Sequence, residues 1–304
     1  MLGWFAGSDA VTVNDAVARA RAARAAGFDT FWYPQVTGLD ALVTLAVVAR
    51  EVPDIRFATA VVPIQGRHPL PLALAALTLA EVAGPGRFTL GLGVTHPSVS
   101  EGWFGVRYRG IVDACAEWLD ALNGLFSKDR RADIEGAHVS VRAATSLKAE
   151  APGIVLAALG PRMVDLAGAR SDGTLTWMTG PIGVGLIAPR LRAAAAGASR
   201  PAPRVAVGIP VCVTDDVVGA RTRLASMMDR SATMPSYRRQ VDAEGVDAPV
   251  DLVVLGDEVA VAAHLDRFRD AGMTELCANV VGNPEEKART AAFLADHYGK
   301  AARA

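Results

Sequence analysis

The sequence predicts an α/β fold: an eight-stranded parallel (βα)8 TIM barrel forming one domain over residues 1–304, with insertions after helix four and before the last strand. Three observations predict it. Short β-rich runs alternate from end to end with Ala- and Leu-rich amphipathic runs, the pattern of a parallel sheet covered by helices. The strand-like runs number eight, enough to close a barrel. With 51% hydrophobic and 21% charged residues over 304 positions, the chain can bury one large core.

In order, strands are expected at Leu2 to Ala6, Thr30 to Gln35, Ile55 to Val62 and Phe88 to Val94, then at Ile154 to Leu159, Thr174 to Met178, Val205 to Val213 and Leu276 to Val281. The helix "TVNDAVARARAARAAG" offers Thr12 and Asn14 as N-caps and closes at Gly27, which tolerates a left-handed C-terminal turn. "NPEEKARTAAFLADHYGK" opens with Asn283, Pro284 and two glutamates, suited to N-cap, first turn and helix dipole. Ser127 to Gly153, and Met234 to Leu255 before "DEVAVAAHLDRFRDAG", exceed the usual connection of roughly 2–6 residues. They read as ordered insertions near the barrel mouth that shape a substrate pocket.

A net charge of −1 gives no long-range attraction for nucleic acid or an anionic membrane, so any anionic ligand must be held locally. The longest uncharged apolar run, around Leu70 to Ala80, is short of the ~20 residues of a membrane span, and "MLGWFAGSDA" lacks a basic leader region. The expected location is the cytoplasm. Cys115, Cys212 and Cys277 lie far apart and read as buried, reduced thiols.

Barrel active sites lie at the C-terminal ends of the strands. That rule selects Trp4 and Ala6, Gln35 to Asp40, Ala60 to His68, Thr95 to Arg109, Gly160 to Met163 and Trp177 to Gly180. "LGLGVTHP" carries Gly91 and Gly93 but has His96 where a dinucleotide fingerprint needs its last glycine, which argues against such a site. The glycines serve either close strand packing or a cofactor face. His68 and His96 stand at strand-to-helix junctions, and His96 is a candidate acid/base or ring contact. There is no H-E-x-x-H, no paired Cys/His spacing and no G-x-S-x-G, so neither a metal centre nor a serine hydrolase is expected. Arg67, Arg107, Arg109 and Arg162 converge on one face as candidate anion clamps.

Six stretches together resemble a known family: "AAGFDTFWYPQ", "AVVPIQGRHPLPLALAALTL", "GRFTLGLGVTHPSVSEGWFG", "LAALGPRMVDLAGARSDGTLTWMTGP", "PAPRVAVGIPVCVTDD" and "VLGDE". Nearly end to end, the chain resembles the bacterial luciferase-like oxidoreductases, in the branch that uses the deazaflavin coenzyme F420. The resemblance implies the same barrel and a homodimer paired through outer helices. It also implies a non-proline cis peptide at Ala60–Val61 backing the deazaflavin ring. Cofactor contacts are implied at Thr95 and His96, at Ala158, Leu159, Gly160, Pro161, Arg162 and Met163, and at Trp177, Met178, Thr179 and Gly180. The amides after Gly160 would hold the phosphate, with Arg162 as a charge partner.

Relatives that oxidise alcohols carry Asp-His after strand two and a glutamate after strand four. This chain has Gln35, Val36 and His96 there. The expected reaction is therefore hydride transfer from reduced coenzyme F420 (F420H2) to an activated C=C or C=N bond of a small organic substrate, with His96 or a bound water as proton donor. Trp4, Gln35, Val36 and Trp103 are candidate substrate contacts, with packing the equal alternative for the aromatic ones. The competing readings are an FMN-dependent monooxygenase, a non-catalytic flavin-binding relative, and a non-redox barrel acting on a sugar phosphate. The lack of any paired lysine or carboxylate base at the strand ends disfavours the last.

Overall fold

The computed structural model describes residues 1–7, 9–35, 37–232 and 234–301. The first half runs β1 (Leu2–Phe5), α1 (Val13–Ala25), β2 (Thr30–Tyr33), α2 (Ala41–Glu51), β3 (Arg56–Thr59), β4 (Val62–Pro63), α3 (Pro69–Ala83), β5 (Phe88–Gly93), α4 (Pro97–Gly102) and α5 (Ile111–Phe126). Then come β6 (Arg131–Glu135), β7 (Ser140–Ala144), β8 (Gly153–Ala157), α6 (Pro161–Arg170), β9 (Gly173–Trp177) and α7 (Pro181–Gly197). The chain ends with β10 (Arg204–Val213), α8 (Val217–Ala232), α9 (Pro235–Glu244), a 3-10 turn (Pro249–Leu252), β11 (Val254–Gly256), α10 (Glu258–Asp270), β12 (Glu275–Val280) and α11 (Pro284–Ala301).

Parallel pairing in the order β12-β1-β2-β3-β5-β8-β9-β10 closes a barrel of eight staves, because β10 bonds to both β9 and β12. The first half of β10 pairs with β9 and its last residues, Val211 to Val213, pair with β11. The expected third strand is broken in two. Ala58 pairs with Thr89 and Val62 with Leu92, so four steps on one strand match three on the other. The extra residue is a bulge, and its Ala60–Val61 peptide is cis, as the resemblance implies.

Strand alternation sorts the core into two layers. Outward residues such as Leu2, Phe31, Phe57, Leu90 and Leu156 meet the helices, while Trp32, Ala58, Val155, Leu175, Ala206 and Cys277 fill the barrel itself. Trp32 does most of the filling and needs small neighbours: a Cβ on Gly3 would sit 2.6 Å from its Nε1. At the floor, fully buried Glu275 accepts from Trp32 Nε1 at 2.9 Å and from Arg204 Nη2 at 2.5 Å. Arg204 also reaches Thr89 Oγ1 at 3.0 Å.

The anticipated caps form at Thr12 and Asn283, whereas Asn14 falls inside α1. Thr12 and Asp15 make a reciprocal capping box, and Asn283 and Glu286 exchange bonds of 2.8 and 2.9 Å at the start of α11. The first insertion departs from expectation. It follows a descending helix and precedes an ascending strand, so it begins at the floor of the barrel rather than its mouth. Its antiparallel β6-β7 hairpin then climbs α5, and only the tip reaches the rim, where Glu117 accepts from the amides of residues 137–139 and Ser140 O meets His68 Nε2 at 3.2 Å. The second insertion does lie at the mouth. Among the described residues no helix is long and apolar enough to cross a membrane, and Cys115, Cys212 and Cys277 are all buried.

Candidate active site

The mouth is built around the bulge. Thr59 Oγ1 donates to Gly91 O and accepts from Gly91 N, both at 2.8 Å, which locks the bulge to β5. Only glycine fits at 91, since a Cβ there would lie 1.8 Å from Thr59 O. Val61 occupies the space above Gly93 and faces Ala157, whose Cβ is 3.0 Å from the position a Gly93 Cβ would take. The result is a shallow face of small apolar groups, Ala60, Val61, Gly93 and Ala157, at the top of the barrel. Across it, Phe5 and Trp177 pair with ring centroids 4.7 Å apart, and Gly208 leaves room for the indole.

The helices beside this face begin alike. His96-Pro97, Gly160-Pro161 and Gly180-Pro181 each put proline at the first helical position with no side-chain bond from the N-cap residue itself. Their surroundings differ. At α7, Glu244 of α9 supplies a carboxylate oxygen 2.6 Å from Gly183 N, so that positive helix end is already answered. At α6, nothing lies within 4 Å of where a Gly160 side chain would start. The start of α6 is thus uncapped and open beside Gly160, a geometry suited to an anion.

His96 is half-buried and its ring centroid lies 5.5 Å from that of Tyr237. Burial holds the imidazole below its ordinary value, which favours its neutral form, and pushes the Tyr237 phenol up to about 12. A neutral imidazole can donate or accept one hydrogen bond. Thr95 N donates to Gln65 Oε1 at 3.1 Å, tying the loop after β5 to the one after β4.

Several expected contacts fall elsewhere. Trp4 points outward against Phe28 (4.9 Å, edge-on), because Leu2, Trp4 and Ala6 share the helix-facing side; Phe5 is the mouth residue. Ala158 and Met178 are likewise buried in the helix-facing core. Thr179 is buried and Gly180 is packed against Glu244. Gln35 Oε1 accepts from Ala41 N at 2.6 Å and helps cap α2. Val36 lies outside the described residues. Trp103 is 58% exposed, in a segment where Glu101, Val106, Arg107, Tyr108 and Arg109 line a separate cavity of about 390 Å³.

Of the four arginines, Arg107 and Arg109 line that cavity together, while the other two have carboxylate neighbours of their own. Arg67 is paired with Asp40, whose carboxyl stays below its usual range: burial would raise it, but the amides of Val43 and Leu42 and Arg67 outweigh that. Arg162 is exposed and sits 3.5 Å from Asp113. Sequence reasoning missed Phe5, which strand alternation could have found; it selected the stretches holding Gln65 (Ala60 to His68) and Tyr237 and Glu244 (Met234 to Leu255) without singling those residues out. Among the described residues, no three His, Cys, Asp or Glu cluster as a metal site.

The profile of the luciferase-like monooxygenase family matches residues 2–296. The chain belongs to that family. It is 28% identical to a Mycobacterium tuberculosis protein provisionally named a coenzyme F420-dependent oxidoreductase, over 90% of this chain and 82% of that one. It is 27% identical to the 5,10-methylenetetrahydromethanopterin reductase of Methanolobus tindarius, over 85% and 82%. Among solved structures, an F420-dependent secondary alcohol dehydrogenase in complex with an F420-acetone adduct superposes with a TM-score of 0.81 at 18% identity, over 97% of both chains. The coenzyme F420-dependent tetrahydromethanopterin reductase of Methanopyrus kandleri gives 0.80, also at 18% and 97%. The oxygenating constituent of 3,6-diketocamphane monooxygenase of Pseudomonas putida, in complex with FMN, gives 0.77 at 17%, over 97% and 96%.

Proposed function

We propose that this protein is a coenzyme F420-dependent oxidoreductase, acting as an F420H2-dependent reductase of an activated C=C or C=N bond in a small organic substrate. One observation carries the reading: the small apolar face over Gly93 and Ala157 and the uncapped first turn of α6 stand at the C-terminal ends of the paired strands β5 and β8. A flat ring fits the small apolar face of Ala60, Val61, Gly93 and Ala157. A phosphate fits the α6 amides of Arg162 and Met163, Pro161 having none to give, with Leu159 and Gly160 lining the approach. The two sequence relatives described above, at 28% and 27% identity, are named for F420 or for a reductase.

When bound, the reduced deazaflavin supplies the hydride. The chain's own residues hold and dry the site: Phe5 and Trp177 wall it, and α9 covers it from one side through Tyr237 and Glu244. At the places where alcohol-oxidising relatives carry Asp-His and a glutamate, this chain has Gln35, Val36 and His96. That difference favours reduction over alcohol oxidation, with His96 or a bound water returning the proton. We also propose a homodimer, supported by apolar side chains left exposed on adjacent helices, Val43 and Val47 on α2 and Leu74 on α3. Light scattering after gel filtration should give twice the mass of the chain.

The second reading, an FMN-dependent monooxygenase, draws on the structural likeness to FMN enzymes. Titrating the protein into oxidised F420 and into FMN, following fluorescence quenching, separates them. Saturable quenching of F420 with weaker FMN binding is expected; tight binding of FMN alone would overturn the proposal.

A further inference from the structure

Gln65 is 4% exposed and follows β4, where Ile64 N still bonds to Gly93 O at 3.0 Å. Along this segment Val62 and Ile64 pack into the helix-facing core, so Val61, Pro63 and Gln65 lie on the mouth side. Along β5, Leu90, Leu92 and Val94 pack outward, so Gly91, Gly93 and Thr95 share the mouth side. Gln65 and Thr95 are thus the next rung above the Pro63–Gly93 pair. The Thr95 amide can only donate, so its bond to Gln65 Oε1 fixes which way the carboxamide points. The amide nitrogen of Gln65 and the hydroxyl of Thr95 are then buried side by side with no partner in the protein.

Buried polar groups are nearly always paired, and adjacent unpaired ones at a mouth call for a ligand group that pairs them. Both groups are neutral, and Arg67, two residues on from Gln65, is already held by Asp40. The complementary partner is neutral and rich in acceptors. We propose that Gln65 and Thr95 are positioning residues that recognise the carbonyl-imide edge of the flat ring seated on Ala60–Val61: the Gln65 amide donates to a ring carbonyl and the Thr95 hydroxyl bonds beside it. This rests on the reading that the mouth takes F420. A carbonyl of the substrate would offer the same chemistry, so the test omits substrate.

F420 is titrated by fluorescence quenching against the wild type and against Thr95→Val, Gln65→Glu and Gln65→Met. Thr95→Val removes an unpaired hydroxyl and no protein hydrogen bond, so its melting temperature should hold or rise while affinity falls roughly tenfold, one hydrogen bond's worth. Gln65→Glu keeps an acceptor for Thr95 N and deletes both donors, with the same loss expected; Gln65→Met serves if the buried carboxylate prevents folding. Unchanged F420 affinity in Thr95→Val and in a folded Gln65 variant would overturn the proposal. FMN carries the same imide edge. If the wild type binds FMN alone, the F420 reading fails, while a tenfold loss of FMN binding in the same variants still supports the role of Gln65 and Thr95.

Discussion

Val61 occupies the volume that a side chain at position 93 would need, with Cγ2 only 2.5 Å from where a Gly93 Cβ would lie. The bulge can present its flat face to the mouth only because β5 has no side chain beneath it.

Gly93→Ala should therefore push Val61 off its seat. Overpacking of this kind costs about 1–3 kcal/mol, and ring binding should weaken together with the urea midpoint. A variant as stable as the wild type with unchanged F420 quenching would show that the face is not set by this contact.

Gly160 allows the opposite experiment. Its φ of −82° suits any residue and nothing lies within 4 Å of its missing side chain. Gly160→Asp would cap α6 as well as or better than glycine, by a few tenths of a kcal/mol, while placing a carboxylate where the phosphate is proposed to bind. The expected result is an unchanged or higher melting temperature with F420 affinity reduced roughly tenfold or more. Equal affinity would remove the phosphate assignment.

Arg204 neutralises a Glu275 side chain that is wholly buried. Arg204→Met leaves that charge unpaired and should cost about 3–5 kcal/mol in chemical denaturation. Arg204→Met with Glu275→Leu should recover part of it, limited by the Trp32 N–H that loses its acceptor. A double variant as unstable as the single would mean the charge is not the cause.

His96 titrates below its ordinary value in the fold because it is buried. The unfolded chain then binds the proton more readily than the native one, so stability is full above pH ~6.5 and declines as the pH falls from there toward the lowered native value. The His96 ring resonance followed by NMR should show a midpoint below ~6.5. Tyr237→Ala, by opening the site to water, should move it upward; an unmoved midpoint would show that Tyr237 does not provide the burial.

Much of the barrel was legible because its signal is local. Eight β-rich runs, capping residues such as Thr12 and Asn283 and the junction prolines all act within a few positions. The break at Ala60–Val61 came from resemblance, since nothing in the local composition marks a cis bond. What stayed hidden depends on residues far apart in the chain. Glu244 reaches Gly183, Tyr237 reaches His96 and Gln65 reaches Thr95 only after the barrel closes. Trp4 was misassigned for a simpler reason: a strand end was read without counting alternation, which puts Phe5 in the mouth and Trp4 against Phe28.

The central claim is that one mouth holds the ring on Ala60–Val61 and the phosphate on the first turn of α6. A crystal structure with F420 bound tests it most directly. The account predicts the deazaflavin over the bulge and the phosphate within hydrogen-bond distance of the Arg162 and Met163 amides. A phosphate bound at the α7 end beside Glu244, or a ring seated away from Val61, would contradict it.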